Sequence, residues 1–301
     1  MTENETTLKR FPHSRTSYLR RGAVGVCFLI MLAVLTGYVS QCSVNVAEEI
    51  PMYYKTPTFE IYPEEEISPR RQIPKPEPFL PKVAIIIDDM GYDVDIAEKF
   101  LSLDTTLTFS IFPHSPFQKE IMSRARAKEM DIMLHLPMEP KEYPLVDPGP
   151  GALLTTMPPE KLISQLRENL DALPFIKGVN NHMGSKMTAV STHIYQILSV
   201  LKKRNLFFID SFTTADSRCK SSARLLQIPF AQRDVFLDHV QDPDSIRKQL
   251  NRLVRIANYY GEAIGIGHPY TVTYEVFREM FPELKKKVRL VPASEVVHTI
   301  G

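Results

Sequence analysis

Val83-Ala84-Ile85-Ile86-Ile87-Asp88-Asp89-Met90-Gly91 is a run of five apolar residues that ends on two carboxylates and, two residues later, a glycine. An unbroken apolar run without polar alternation predicts a strand buried on both faces, the kind found in parallel sheets. Downstream, Ile96, Phe100 and Leu103 recur at helical spacing over 93–103. The alternation continues with strand 106–112, helix 116–130, strand 131–136, a loop 137–157 and a helix opened by Pro158-Pro159-Glu160. Further strands are expected at 177–181, 206–209, 234–237, 263–266 and 288–291. Helices are expected at 188–204, 216–227, 242–260 and 272–281, the third capped by Asp242. Repeated strand–helix units mean a parallel sheet with right-handed crossovers. Seven or eight of them predict an α/β fold, a distorted (β/α)7-8 barrel over residues 82–301, with a doubly wound open sheet as the alternative.

Upstream of that domain the chain changes character. Residues 1–21 form a basic tail with Lys9, Arg10, Arg15, Arg20 and Arg21. In 22–41 a run of eighteen almost wholly apolar residues follows, about 27 Å long as a helix and close to the hydrocarbon thickness. Basic residues on its N-terminal side predict a single-pass signal anchor in the bacterial cytoplasmic (inner) membrane, with the domain on the extracytoplasmic, periplasmic side. A cleaved signal peptide is the rival. Residues 42–81 have prolines at 51, 57, 63, 69, 74, 76, 78 and 81 and read as a stiff tether.

Charge and cysteine use narrow the function. The 36 Lys+Arg against 35 Asp+Glu leave a net charge of +1, which argues against nucleic acid as a partner. Three cysteines make no disulfide scaffold, and Cys219, alone in the domain, reads as a small core residue.

The unusual polar residues fall at expected strand ends. Asp88-Asp89 close the first strand, His114 follows the second and His135 ends the third. Asn180-Asn181-His182, Asp210-Ser211, Asp238-His239 and Gly267-His268 follow the next four. C-terminal strand ends share one face of such folds, so five of the eight histidines are expected to converge there. Carboxylates and neutral imidazoles ligate Zn²⁺ and related divalent ions, which activate water. A second carboxylate can take that water's proton, and a further histidine can protonate a leaving group. Adjacent residues of a regular strand point to opposite faces, so both Asp88 and Asp89 reach the site only if the backbone turns.

The Ile-Ile-Ile-Asp88-Asp89-Met90-Gly91 segment resembles the first motif of NodB-type polysaccharide deacetylases. The whole pattern is most similar to the divergent polysaccharide deacetylase family, on five segments. The other four are Leu134-His135-Leu136-Pro137-Met138-Glu139, Asn180-Asn181-His182-Met183-Gly184-Ser185, Phe207-Phe208-Ile209-Asp210-Ser211 and Ile264-Gly265-Ile266-Gly267-His268-Pro269. The resemblance spans about 82–297 and implies Asp88 as base, Asp89 and His135 as ligands of a divalent metal such as Zn²⁺, and His268 as general acid. The family's second motif has two histidines four residues apart, whereas Glu139 stands at that spacing here. His182 is expected to take the vacant ligand place, with Glu139 as substitute. Asp210 orients His268 or His182, or caps the next helix. The implied reaction is hydrolysis of N-acetyl groups on an envelope polysaccharide or peptidoglycan-type glycan. Tyr143 in loop 137–157 either stacks on a sugar or packs on the rim. Two other readings stand beside it. One is a non-catalytic domain that binds glycan or an envelope partner. The other is a different metal hydrolase such as a phosphoesterase, for which Lys186 and Arg218 are the available cations.

Overall fold

The computed structural model describes residues 80–300. The expected basic tail, the anchor and nearly all of the tether lie outside the described residues. Among the described residues no helix is long and apolar enough to cross a membrane.

The strands are β1 (Lys82–Met90), β2 (Thr108–Ile111), β3 (Asp131–Met138), β4 (Gly178–Met183), β5 (Phe207–Asp210), β6 (Pro229–Gln232), β7 (Val235–Phe236), β8 (Glu262–Gly267), β9 (Arg289–Val291) and β10 (His298–Thr299). Between them run α1 (Val94–Leu101), α2 (Gln118–Ala127), α3 (Pro159–Ala172), α4 (Ser191–Lys203), α5 (Cys219–Leu226), α6 (Pro243–Tyr260) and α7 (Thr271–Leu284). Local chemistry sets the helix ends. Asp93 and Asp242 each accept a backbone N–H three residues on, at 3.0 and 2.8 Å, satisfying an orphan donor of the first turn. Gly261 ends α6 in the left-handed region at φ +88°.

The sheet order is β10-β6-β5-β4-β3-β2-β1-β8-β7, with β9 also on β1. Apart from the β10–β6 pair, every pairing is parallel. The sequential order from β1 to β6, with β8 returning to the other side of β1, excludes the doubly wound alternative, which needs an order reversal. The sheet curls until its edges meet in sequence. Only Arg233 and Asp234 separate β6 from β7. The Arg233 amide bonds the Asp210 carbonyl of β5, and the Asp234 amide bonds the Ile264 carbonyl of β8. The chain thus steps across the gap, and β6 and β7 are not paired with each other. The expected barrel is therefore a half-barrel type of sheet with nine strands in parallel pairings, the short β9 beside β1 among them, and one open seam.

Strand periodicity sorts the core into two layers. On β1, Val83, Ile85 and Ile87 pack outward in the main core with the helices, while Ala84 and Ile86 face the inner cluster. Met133 of β3, Phe207 and Ile209 of β5, and Ile264 and Ile266 of β8 join that inner cluster, with Ala231 of β6 against it. The next inward position along each of these strands is Asp88, His135, Ser211, His268 and Arg233 respectively. A dry inner plug thus carries a polar layer directly above it, toward the strand C-termini.

Candidate active site

Asp88 reaches this layer by parity, and Asp89 by a break in the strand. The β1–β2 register shifts between Ile87 and Met90, and Asp89 takes φ +56°. This left-handed residue turns the second carboxylate inward beside the first. Gly91 follows at φ +131°, where a Cβ would stand 2.0 Å from Ser115 Oγ, so no side chain fits there.

Three ligating atoms meet. Asp89 Oδ1 lies 3.0 Å from His135 Nε2 and 3.2 Å from His182 Nδ1, and the two nitrogens are 3.1 Å apart. Among the described residues this is the one group of three His, Cys, Asp or Glu side chains close enough to share an ion. Neither imidazole N–H is aligned on Asp89 Oδ1, which is buried without a hydrogen-bond partner. An orphaned buried carboxylate oxygen is costly and asks for a cation. Ligands about 2.0–2.1 Å from an ion stand about 3.0–3.4 Å from one another, so the triangle fits a divalent metal. Asp89 has 31% of its side chain exposed, so the group opens to solvent. Phe112 closes the triangle on one side, its ring edge-on to His135 at 4.9 Å and to His182 at 4.7 Å between centroids.

Electrostatics differ among these groups. Burial raises the Asp88 carboxyl above the usual carboxylate range, against the lowering effect of His135, His268 and Asn180. Burial alone would also raise Asp89, but His135 and His182 outweigh it and hold that carboxyl far below its ordinary value. His135 is pulled down by burial, yet the charges of Asp88 and Asp89 push it up to about 9. Burial dominates at His182 and lowers it.

His268 stands across the layer, its Nε2 4.0 Å from Asp89 Oδ2. Its Nδ1 is 2.8 Å from Asp238 Oδ1, while Asp238 Oδ2 accepts the His268 amide at 2.6 Å and the Thr273 hydroxyl at 2.7 Å. Burial would lower the His268 pKa, but the hydrogen bond and charge of Asp238, with Asp88 and Asp89, raise it. Asp238, not Asp210, orients this imidazole. Asp210 points away: Oδ1 accepts the Phe212 amide at 2.8 Å and Oδ2 the Ser217 hydroxyl at 2.6 Å, tying down the turn into α5. Glu139 is also outside the cluster. Its buried carboxylate takes the Lys186 ammonium at 2.6 Å and the Thr155 amide, clamping the loop after β3. Lys186 is thereby engaged and is not a free phosphate-binding cation.

The expected convergence of five histidines reduces to three. His114, at φ +61°, lies 3.1 Å from Asn169 Oδ1 and supports the loop at Gly151. His239 follows the inward Asp238, so it has the opposite parity and packs edge-on to Phe236. Cys219 is a buried thiol pushed well above its usual pKa by burial, in keeping with a core role. Tyr143 is half-buried in its loop.

Two inward residues carry no assigned role in the sequence reading. Asn180 sits in β4 opposite His135 in register. Arg233 spans the seam, its Nε donating to the Ser211 carbonyl at 2.7 Å and its guanidinium over the Phe236 ring at 5.1 Å. Parity along β4 and β6 is the signal for both, once each strand is correctly bounded.

Fold and cluster together define a class: a seamed parallel half-barrel with its carboxylates and imidazoles on inward positions at the strand C-termini. The chain belongs to the divergent polysaccharide deacetylase family, whose model matches residues 85–297. It is 32% identical over 218 residues to the uncharacterized protein YibQ of Escherichia coli strain K12, covering 72% of this chain and 67% of that protein. An uncharacterized protein of Haemophilus influenzae is 27% identical over 210 residues, covering 70% of this chain and 74% of that one. The crystal structure of an uncharacterized protein from Agrobacterium tumefaciens C58 matches with a TM-score of 0.69 at 26% identity, covering 73% of this chain and 90% of that one.

Proposed function

We propose that this chain is a membrane-tethered, extracytoplasmic, metal-dependent deacetylase that hydrolyses N-acetyl groups of an envelope glycan. The observation that carries it is one layer holding a three-ligand group, a separate buried carboxylate and a carboxylate-oriented imidazole. Asp89, His135 and His182 would hold Zn²⁺ or another divalent ion. When bound, the ion would polarise the acetamide carbonyl and acidify a water.

The protein's own groups would do the rest. Asp88 takes the proton of the attacking water; its raised pKa brings it nearer to the range where a general base is efficient. His268 presents Nε2 to the cleft because Asp238 holds Nδ1, and it passes its proton to the departing amine. His182 gives a second imidazole to a motif whose fourth-residue histidine is replaced by Glu139, which supports hydrolysis over a purely binding role.

The pH dependence follows from His268. The general acid must be protonated, and the raised pKa extends that form to higher pH. Asp238→Asn removes the raising charge and is expected to move the basic limb of kcat to lower pH, with a fall of about 10²-fold at the optimum. A pH–rate profile checks it, and an unmoved basic limb would count against His268 as the acid.

The proposed activity is tested by metal analysis of the purified full chain and by acetate release from N-acetylated oligosaccharides and peptidoglycan. About one divalent ion per chain with metal-dependent acetate release supports it. A protein that holds no metal after Zn²⁺ loading, or that releases no acetate when loaded, leaves the binding-domain reading in its place.

A further inference from the structure

We infer that Asn180 is the positioning residue of this centre: its side-chain amide fixes which nitrogen of His135 carries the proton and, with the same group, holds the Asp88 carboxylate. Its kinetic consequence rests on the proposed hydrolysis; its structural content does not.

Asn180 is fully buried, and its amide is engaged on both sides. Nδ2 is 2.8 Å from Asp88 Oδ1 and 3.3 Å from Ser211 Oγ. Oδ1 is 2.9 Å from His135 Nδ1 and 2.5 Å from Ser110 Oγ. An ionised carboxylate only accepts, so the amide edge that faces Asp88 is the NH₂ group. The oxygen therefore faces His135. An amide oxygen cannot donate, so the hydrogen bond requires the proton on His135 Nδ1. In the neutral ring the lone pair then lies on Nε2, the atom 3.0 Å from Asp89 Oδ1 and 3.1 Å from His182 Nδ1. That is the nitrogen a cation at the triangle would use. Partners of this kind fix the ring and tautomer of metal-binding histidines. Here one amide serves the ligand and the carboxylate together, and Ser110 and Ser211 hold it from either side.

The first test needs no variant. Imidazole ¹⁵N NMR on metal-free full chain in detergent micelles at pH 10, with His135 assigned from His135→Gln, reads the neutral tautomer. The Nδ1–H form is expected, and the Nε2–H form would overturn the inference. The second test compares Asn180→Ala with Asn180→Asp, by tautomer and by Zn²⁺ affinity in chelator competition. Asn180→Ala is expected to mix the tautomers and weaken Zn²⁺ about 10–100-fold. Asn180→Asp, though nearly isosteric, puts a carboxylate against Asp88 and is expected to be the more damaging of the two. A residue that merely filled space would give the reverse order, and that result would also overturn the inference. In turnover, kcat should fall with KM little changed. The expected tautomer and affinity changes without acetate release in the wild type would refute the deacetylase reading and leave the role of Asn180 intact.

Discussion

Full-length protein with His182→Ala is expected to lose Zn²⁺ binding by at least about 10²-fold, above what the loss of an outer hydrogen bond to a ligand costs. Two of three ligating atoms would remain, and acetate release would fall with occupancy. The binding should also be pH-dependent in a definite sense. The charges of Asp88 and Asp89 push the His135 pKa up to about 9 against burial, so at lower pH a proton competes with the metal for its ring. Affinity is expected to rise with pH, up to tenfold per unit where one proton is displaced, and to level off above about 9. Equilibrium dialysis against Zn²⁺ at several pH values measures both effects. Undiminished binding in the variant would remove His182 from the ligand set.

Asp88→Asn is expected to separate chemistry from binding. The substituted side chain would still offer an oxygen to the Asn180 amide, so the layer should keep its arrangement and its metal. The base would be gone, and kcat is expected to fall by about 10³-fold, within the range for loss of general base catalysis. In the wild type the base works above its pKa. Burial raises that pKa, so the acidic limb of the rate profile is expected above the ordinary carboxylate range and should vanish in the variant. A variant with full activity and bound metal would rule Asp88 out as the base.

Much of this architecture could be read from β1. Its unbroken apolar run implies burial on both faces, and the strand is flanked by β8 on one side and β2 and β9 on the other. Long helices with strong end signals, such as α6 behind Asp242-Pro243, were legible for the same reason. β6 and β10 were not. They have four and two residues, and Pro229 opens the first of them, so too few side chains alternate to show a period. Missing β6 hid Arg233, whose inward placement depends on counting from Ala231. Asp238 was visible as a strand-end residue, yet its pairing with His268 depends on β7 and β8 lying side by side, a relation between segments thirty residues apart. Asp210 and Glu139 show the converse. Both are acidic residues at strand ends, but Asp210 spends its carboxylate on a turn and Glu139 on the base of a loop.

The dry plug beneath the polar layer has a steric counterpart. Asp88 and His135 are each about 2% exposed, whereas Asp89, His182 and His268 open outward. Hydrocarbon closes the floor, so the approach to these groups is from the strand C-termini. For a glycan of the proposed class, the acetamide would therefore enter and the acetate leave by the same side, since nothing can pass out through the floor.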